Sequence, residues 1–215
     1  MDGVVFGWPG EAPLLTVDEF VLGAGETVFL HGPSGSGKST LLSLIAGVLT
    51  PDAGRIEVAG RAMGELPAGR RDRLRADEIG IVFQLFNLLP YLSAAENVLL
   101  PVRASKRRRE RLTEPPKAVA LDLLARLGID APGRKASALS VGQQQRVAAA
   151  RALIGTPPLL IADEPTSALD EARRDEFLAV LLAEAKRVSA AVLFVSHDDR
   201  LAARFGRTLS LSDFT

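Results

Sequence analysis

The segment GPSGSGKST, residues 32–40, constrains the fold more than any other part of this 215-residue chain. Its nine residues include three glycines, one lysine and four hydroxyl side chains. The apolar segment VFLHG before it predicts a β-strand, and STLLSLIAGV after it predicts an α-helix. Glycines let the backbone curl so that its N–H groups converge on phosphate oxygens, and the N-terminus of a helix adds partial positive charge. The segment therefore predicts a strand, loop and helix that cradle a polyphosphate.

Two side chains at the end of this loop carry the specific chemistry. We expect Lys38 to reach the β and γ phosphates and the Ser39 hydroxyl to bind Mg²⁺. An ordinary glycine-rich turn is the alternative, but such a turn does not require the spacing, the lysine and the hydroxyl together. The other residues expected to surround the phosphates are Gly32, Pro33, Ser34, Gly35, Ser36, Gly37 and Thr40.

Segments that predict strands alternate with segments of helical periodicity along the rest of the chain. Later strands are predicted in EIGIVFQ, PLLIAD and AAVLFVSHD. Helices are predicted in SAAENVLL, which should stop before Pro101, and in PPKAVALDLLARLG, VGQQQRVAAARALI and EARRDEFLAVLLAEAKRV. Such alternation indicates a parallel sheet covered by helices on both faces. The early strands VDEFVL, ETVFLHG and RIEVAG indicate an added antiparallel piece.

These patterns predict an α/β fold: a phosphate-loop NTPase core with a mostly parallel sheet, an N-terminal antiparallel β piece and an inserted α-helical subdomain. Residues 85–140 are mostly helical in pattern and lack the apolar runs of buried strands. We therefore predict one domain over residues 1–215, with residues 1–84 and 141–215 as the α/β core and about 85–140 as the helical subdomain.

Composition excludes several classes of protein. Lys plus Arg and Asp plus Glu each total 26, so the formal net charge is zero and gives no reason to expect nucleic acid as a partner. The chain has no cysteine, which excludes disulfides and thiolate metal sites. The first residues lack the pattern of a signal peptide, and no run of about 18 apolar residues predicts a membrane span.

A second chemical motif is LLIADEP, residues 159–165. Its apolar strand should deliver Asp163 and Glu164 to the carboxyl end of the sheet, where α/β proteins bind ligands. We expect Asp163 to hold Mg²⁺ through water and Glu164 to orient or deprotonate an attacking water. One carboxylate for metal and one for water is what hydrolysis of a nucleoside triphosphate requires. The alternative is an ordinary acidic turn at a strand end. The presence of the phosphate loop in the same chain argues against this alternative.

The motifs together resemble a known family. LSVGQQQRV, residues 139–147, resembles the signature of ATP-binding cassette (ABC) ATPases, and SALD at 167–170, Gln84 in VFQ and His197 in VSHD follow the family pattern. The resemblance covers nearly the whole chain, from about residue 3 to about 210. The stretch GIVFQLFNLLPYLSAAENVLLP further resembles the branch that serves lipoprotein-release, macrolide-export and cell-division type permeases.

The resemblance implies ATP and Mg²⁺ as ligands and gives roles to single residues. Trp8 would stack on adenine, although Phe6 is a competing candidate and simple packing of Trp8 on the sheet is the alternative. Gln84 would touch Mg²⁺ and the water and would link the site to the helical subdomain. His197 would contact the γ-phosphate, completing a catalytic set with Glu164 and Gln84.

The resemblance also implies a dimer. Ser140, Gly142 and Gln143 of the signature would close on the nucleotide held by a second copy of the chain, and Asp170 would lie across the same interface. Val141 stands where the common signature has glycine, which bears on how closely the backbone approaches the phosphate. One loop and one signature in each chain imply a head-to-tail dimer around two ATP molecules.

The function implied is that of an ATP-hydrolysing transporter subunit. It would drive a separate integral membrane permease from the cytoplasmic face of the inner membrane. A soluble ABC ATPase acting on nucleic acid or ribosomes is the alternative, but such proteins usually carry two cassettes or a long coiled-coil insertion. A binding module with little turnover is a third option, and the presence of Glu164 and His197 argues against it.

Two segments outside the motifs invite hypotheses of their own. KRRRER, residues 106–111, is expected to be a solvated helix or loop face rather than a nucleic-acid site, with contact to an anionic membrane leaflet as a weaker hypothesis. The apolar segment 85–101 is expected to form subdomain core, a groove for a short helix of the membrane partner, or both, with Phe86, Leu88 and Tyr91 as candidates for the exposed part.

Two further patterns contain histidine, and neither predicts a hydrolase triad or a metal site. Ser196, His197 and Asp198 contain the residue types of a hydrolase triad, but adjacent residues in an extended segment point in different directions. His31 is expected to be a packed strand-end residue rather than a metal ligand.

Overall fold

The computed structural model of the chain describes residues 1–33, 35–167 and 169–214. In chain order its strands are β1 (Asp2–Gly7), β2 (Pro13–Glu19), β3 (Thr27–His31), β4 (Ala53–Arg55), β5 (Glu57–Val58), β6 (Arg61–Ala62), β7 (Ile79–Val82), β8 (Leu159–Asp163), β9 (Ala191–Val195) and β10 (Arg207–Ser210). Its α-helices are α1 (Lys38–Ile45), α2 (Ala68–Glu78), α3 (Ala94–Ala104), α4 (Lys106–Glu110), α5 (Pro116–Arg126), α6 (Val141–Leu153) and α7 (Glu171–Arg187).

Five parallel strands form the central sheet, in the order β10–β3–β9–β8–β7. Strand β9 is buried along its whole length, and β3 and β8 are buried in all but their end residues. Strands buried on both faces carry apolar residues without polar alternation, as their sequences do. Because the strands are parallel, the segments that follow β3, β7, β8 and β9 meet at one edge of the sheet.

A smaller antiparallel sheet contains β2, β1 and β4 in that order. Alternate residues face the core, so that Val4 and Phe6 of β1 and Leu15 and Val17 of β2 are buried. Strand β1 was not predicted, and the strand predicted at VDEFVL begins earlier, at Pro13. The parallel sheet, this antiparallel piece and the helices between residues 94 and 153 match the predicted architecture, whereas the subdomain limits at 85 and 140 stay a prediction.

Helix α3 does not stop before Pro101, and that prediction was wrong. The helix continues to Ala104, because the Pro101 carbonyl still accepts a hydrogen bond from Ser105 N at 2.8 Å. Proline removes one N–H donor from a helix, but Val98 and Val102 are buried on either side of it. The packing of α3 against α6 therefore outweighs the local penalty.

The apolar core has two parts. One part lies between the parallel sheet and the helices α3, α5, α6 and α7. The other joins the antiparallel sheet and α1 to the parallel sheet. In the described ranges, no helix combines the length and the apolar character needed to cross a bilayer.

The basic segment 106–111 is only partly the solvated face that the sequence predicted: Lys106, Arg107, Arg109 and Glu110 are exposed, whereas Arg108 is buried and Arg111 is half-buried. Arg108 is only 2 % exposed. Its guanidinium donates to the carbonyls of Ala152 and Ile154 at 3.2 Å each and to that of Ile79. Arg108 therefore ties the short helix α4 to the end of α6 and the start of β7.

Two neighbouring arginines form ion pairs with a carboxylate at the end of α2. Glu78, whose side chain is 1 % exposed, pairs with Arg107 at 2.8 Å and with Arg111. Next to it, the Ser105 hydroxyl donates to Asp77 at 2.5 Å. Because helix α2 was not predicted, its carboxylates were not expected near the basic segment. The segment was therefore expected to face solvent.

The exposed residues of the apolar segment 85–101 differ from those predicted. Phe86 is 7 % exposed, whereas Tyr91 is 67 % and Leu85 is 83 % exposed. Leu88 is half-buried against the core. Phe86 has a φ of 58°, a left-handed backbone that turns its side chain inward while its carbonyl accepts from Arg151 at 2.5 Å. Phe86 is thus wrong as an exposed candidate, and Leu85 takes its place.

Candidate active site

A cleft of about 700 Å³ opens at the edge of the sheet where the parallel strands end. The segments after β3, β7, β8 and β9 all contribute to it, as their shared direction requires. The residues that line it are Trp8, Leu14, Gly35, Gly37, Lys38, Ser39, Thr40, Gln84, Asp163, Glu164 and His197. With the exception of Leu14, all of these residues were predicted from the sequence.

The glycine-rich loop curls around the ammonium group of Lys38. The Lys38 Nζ donates to the carbonyls of Gly32 at 2.7 Å and Pro33 at 2.9 Å, and the side chain is largely buried. Gly35 and Gly37 have φ angles of 78° and 105°, in the region that favours glycine. These two positions therefore need the conformational freedom that glycine provides.

The hydroxyl residues of the loop have separate surroundings. Ser39 and Thr40 lie in the first turn of α1 and line the cleft. The Ser36 hydroxyl instead donates to the Pro33 carbonyl at 2.7 Å and so belongs to the internal bonding of the loop. Ser34, predicted to contact phosphate, lies outside the described residues.

Two carboxylates end strand β8. Burial raises the pKa of Asp163, the neighbouring Glu164 raises it further, and Lys38 acts in the opposite direction. A carboxylate held in this way gains from a nearby cation, because the cation offsets both the burial and the like charge.

Glu164 stands in a strained position and contacts His197. Its φ is 46°, and a non-glycine residue with this backbone costs of order 1–3 kcal/mol. Its N–H donates to the Val195 carbonyl at 2.9 Å, which holds the strain in place. Its Oε2 lies 2.7 Å from His197 Nδ1. The predicted water-activating carboxylate and the predicted γ-phosphate contact are therefore adjacent.

The other polar residues beside His197 do not form a hydrolase triad. Ser196 is buried, and its hydroxyl accepts from the Asp198 N–H at 3.2 Å instead of facing the imidazole. His31 is half-buried at the end of β3, and its Nδ1 lies 3.3 Å from Asp199. Both positions agree with the structural roles expected from the sequence.

An aromatic residue borders the cleft from the antiparallel sheet. Trp8 is 43 % exposed, and its ring meets the edge of Phe6 with centroids 5.2 Å apart. Phe6 is buried, so Trp8 is the aromatic face available to a base in the cleft. Leu14 also lines the cleft, and the sequence did not point to it because an apolar strand residue carries no chemical signature.

The oxygen donors of the cleft fit Mg²⁺ that arrives with phosphate. Ser39 offers a hydroxyl, Asp163 a carboxylate and Gln84 an amide oxygen, and all three line the cleft. No group of three or more His, Cys, Asp or Glu side chains that could hold an ion occurs in the described part of the chain. Magnesium is commonly held by one or two carboxylates together with substrate phosphates, which is what this donor set allows.

The signature residues lie outside the cleft lining. Ser140 is exposed and caps α6, with its Oγ accepting from Gln143 N at 3.3 Å and Gln143 Oε1 accepting from Ser140 N at 3.0 Å. Val141 is 48 % exposed. A Cβ added at Gly142 would meet nothing within 4 Å. The N-terminus of α6 thus faces outward and is open to a second molecule.

Asp170 has a similar place at another helix. It caps α7 and accepts from Arg173 N at 3.0 Å. It is not among the residues that line the cleft of its own chain. The structure therefore brings together the loop, the strand-end acids and His197, and leaves the signature and Asp170 apart from them.

Comparison with known proteins decides the family. The family model described as "ABC transporter" matches residues 15–167. The chain belongs to the ABC transporter family. The predicted ATPase activity, with ATP and Mg²⁺ as ligands, and the predicted fold class are confirmed at the level of this family.

Individual relatives agree with the predicted branch of ABC ATPases. The chain is 43 % identical over 212 residues to the lipoprotein-releasing system ATP-binding protein LolD of Ruegeria sp. (strain TM1040), a match that covers 96 % of this chain and 90 % of LolD. It is 41 % identical over 211 residues to the macrolide export ATP-binding/permease protein MacB of Burkholderia thailandensis, covering 95 % of this chain and 31 % of MacB.

A solved ABC cassette has the same fold. The ATP-binding cassette MJ0796, in a dimeric post-hydrolysis state bound to ADP and Pi, superposes with a TM-score of 0.82 at 33 % identity. The match covers 99 % of this chain and 93 % of MJ0796.

Proposed function

We propose that two copies of the chain close head to tail around two ATP molecules and that this cycle drives a separate membrane permease. In each composite site, residues 32–40, Asp163 and Glu164 of one copy face residues 140–143 of the other. Asp170 contributes to the same interface.

One observation carries this proposal. The catalytic candidates line one cleft within a single copy, whereas residues 140–143 are excluded from that lining and open toward solvent. The N-terminus of α6 carries partial positive charge, and the N–H groups of Val141 and Gly142 lie outside the capping box, which suits a phosphate supplied from outside the chain. The dimeric state named for MJ0796 supports the arrangement.

Within one copy, the cleft residues have distinct roles. Lys38 and the loop N–H groups neutralise and orient the phosphates. Glu164 orients and deprotonates the attacking water, and the His197 ring holds Glu164 while its other edge faces the γ-phosphate. When bound, Mg²⁺ neutralises charge on the phosphate oxygens, and Ser39, Asp163 and Gln84 are the residues that would hold it.

The proposal can be tested first at Glu164. Glu164→Gln should lower kcat at least about 10²- to 10⁴-fold, the usual contribution of a positioned general base. It should also accumulate an ATP-bound dimer, measured by light scattering after size exclusion. Glu110→Gln, in an exposed pair with Lys106, is the matched control and should change neither quantity.

Ser140 gives the sharper test of the head-to-tail arrangement. Aspartate and asparagine both cap helices as well as serine does, so Ser140→Asp and Ser140→Asn should leave α6 intact. Only the aspartate would repel a phosphate held by the partner, and it should abolish ATP-dependent dimer formation and turnover. Full hydrolysis by a strict monomer, or equal activity of the two variants, would overturn the proposal.

The permease is proposed to bind beside the segment that follows Gln84. A groove of about 410 Å³ lies there, with Phe83, Asn87, Leu100 and Pro101 in its lining, and the exposed Leu85 and Tyr91 follow Gln84 in the same segment. A short helix of the permease fits such a groove. Leu85→Glu should release the permease in pull-downs from solubilised membranes while ATP binding persists. Val21→Glu, at another exposed apolar residue in a different segment, should retain it.

The relatives suggest the branch and the location of the complex. We infer that the chain serves a permease of the lipoprotein-releasing or macrolide-export type and lies peripherally on the cytoplasmic face of the inner membrane. Co-purification with membranes rather than ribosomes tests this, and ribosome association would favour the soluble alternative. The zero net charge gives that alternative no support.

A further inference from the structure

The residue after His197 is the centre of an ionic network that the roles above do not use. Asp198 is bound by the Arg174 guanidinium and, in bidentate fashion, by Arg200, whose Nε and Nη2 lie 2.8 and 3.0 Å from its two oxygens. The side chains of Arg174 and Asp198 are 11 % and 14 % exposed, whereas Arg200 is 66 % exposed. The hydrogen bond from Arg200 lowers the pKa of Asp198. The pair with Arg174 is thus the shielded centre of the network.

Asp198 also fixes the backbone on both sides of His197. Its N–H donates to Ser196 Oγ at 3.2 Å, and the Ser196 N–H donates to the Leu30 carbonyl at 3.2 Å. On the other side, Asp198 caps the short 3₁₀ helix Asp199–Arg204. The His197 ring is 65 % exposed, so packing restricts it little and these anchors determine where it stands.

The same network reaches the helix that begins after Asp170. Arg174 lies in α7, and its N–H donates to the Asp170 carbonyl at 2.9 Å. Glu171, the first residue of α7, lies 3.4 Å from Arg200. The segment that carries His197 is therefore connected to the first turn of α7, next to the residue assigned to the dimer interface.

We propose that Asp198 is a positioning residue for ATP hydrolysis: anchored by Arg174, it holds His197 where the ring meets Glu164. The inference rests on the proposed roles of His197 and Glu164. Neither Asp198 nor Arg174 lines the cleft, so both act through His197 and not on the nucleotide. The link to α7 further lets movement at Asp170 reach the catalytic pair.

Steady-state kinetics of the full chain with Mg·ATP test the proposal. Asp198→Asn and Arg174→Met should each lower kcat about 10- to 100-fold, the scale of an ångström-sized misplacement of a reacting group. KM for ATP should stay unchanged, because the phosphate loop and Trp8 are untouched. Asp175→Asn is the matched control on α7, where it pairs with Arg204 at 3.4 Å, and should retain full turnover.

A double-mutant cycle separates positioning from simple stabilisation. In a His197→Ala background, Asp198→Asn should cause no further loss of kcat, because the residue it positions is gone. The proposal would be overturned if the losses of kcat from His197→Ala and Asp198→Asn multiply, or if the single variants keep their kcat. It would also be overturned if both single variants lose cooperative unfolding, since the network would then be a purely structural clamp. If His197→Ala itself keeps full turnover, the proposed role of His197 fails, and that outcome is distinct from failure at Asp198 alone.

Discussion

Replacing Arg108 with methionine tests whether the basic segment acts inside the protein. Methionine keeps an unbranched apolar stem in the buried site and removes the guanidinium. The carbonyls of Ile79, Ala152 and Ile154 then lose the donors that Arg108 supplies. The substitution therefore measures how much the polar contacts of one buried side chain contribute to joining α4, α6 and β7.

The expected magnitude follows from two opposing terms. Each buried carbonyl left without its donor costs about 1–3 kcal/mol, so three carbonyls cost about 6 kcal/mol in the middle of that range. Against this, burial lowers the pKa of Arg108 to about 10, which corresponds to roughly 3 kcal/mol spent on keeping the guanidinium charged. Methionine avoids that second cost. The net expectation for Arg108→Met is a loss of about 3 kcal/mol.

Urea unfolding followed by circular dichroism measures this loss directly. Lys106→Met is the matched control, because Lys106 lies in the same short helix with its side chain 88 % exposed. It should change the free energy of unfolding by less than about 0.5 kcal/mol. If Arg108→Met is as stable as this control, the guanidinium contacts contribute nothing net and the reasoning is refuted. If the segment instead binds a membrane, the control Lys106→Met should bind liposomes more weakly, because it removes an exposed positive charge.

Three further predictions concern the cleft. Asp163→Asn should stabilise the nucleotide-free protein by about 1 kcal/mol. Because the pKa of Asp163 is raised in the folded protein, this stabilisation should be absent below about pH 4 and should grow as pH rises. Thermal unfolding measured across a pH range checks this dependence. Gly37→Ala should weaken ATP binding at least about tenfold, because alanine is strained by 1–3 kcal/mol or more at the φ of 105°. Trp8 is the one tryptophan, so ATP binding to Gly37→Ala can be followed by its fluorescence. Trp8→Ala should lower ATP affinity by 1–3 kcal/mol of stacking in calorimetric titration, and an unchanged affinity would mean that Trp8 only packs on the sheet.

The elements that the sequence predicted well are those with strong periodicity or explicit chemistry. The buried residues of β3, β8 and β9 are all apolar because both faces of these strands are covered, and the helices α6 and α7 begin at capping residues. Strand β1 and helix α2 were missed because neither has such a signal: β1 contains two glycines and buries only Val4 and Phe6, and α2 is rich in charged residues. The Pro101 error has the same origin, since local preference was read without the packing of α3 on α6.

The site could be predicted further than the fold around it, because its residues are tied to their neighbours along the chain. Lys38 and Ser39 follow the loop after one strand, and Asp163 and Glu164 lie at the end of another. Because parallel strands end at the same edge of the sheet, a parallel sheet is sufficient to bring these residues together. The pairing of Arg107 and Arg111 depends instead on Glu78, about thirty residues earlier, and no local pattern connects these arginines to it. Contacts between distant segments are decided by the packed structure and not by the motif that each segment carries.

The energetics of the two regions differ in kind, and this separates activity from stability. At the cleft, burial and the neighbouring Glu164 disfavour the charged form of Asp163, and Glu164 itself has a strained backbone, so substitutions that relieve either should stabilise the chain and impair hydrolysis. Around α4, Arg108 donates to carbonyls at the end of α6 and in β7, and Glu78 pairs with Arg107 and Arg111, and none of these residues lines the cleft. A substitution of Asp163 or Glu164 that lowers kcat should therefore leave the urea midpoint equal or higher. A substitution that lowers kcat because it loosens α4 should lower the midpoint in proportion.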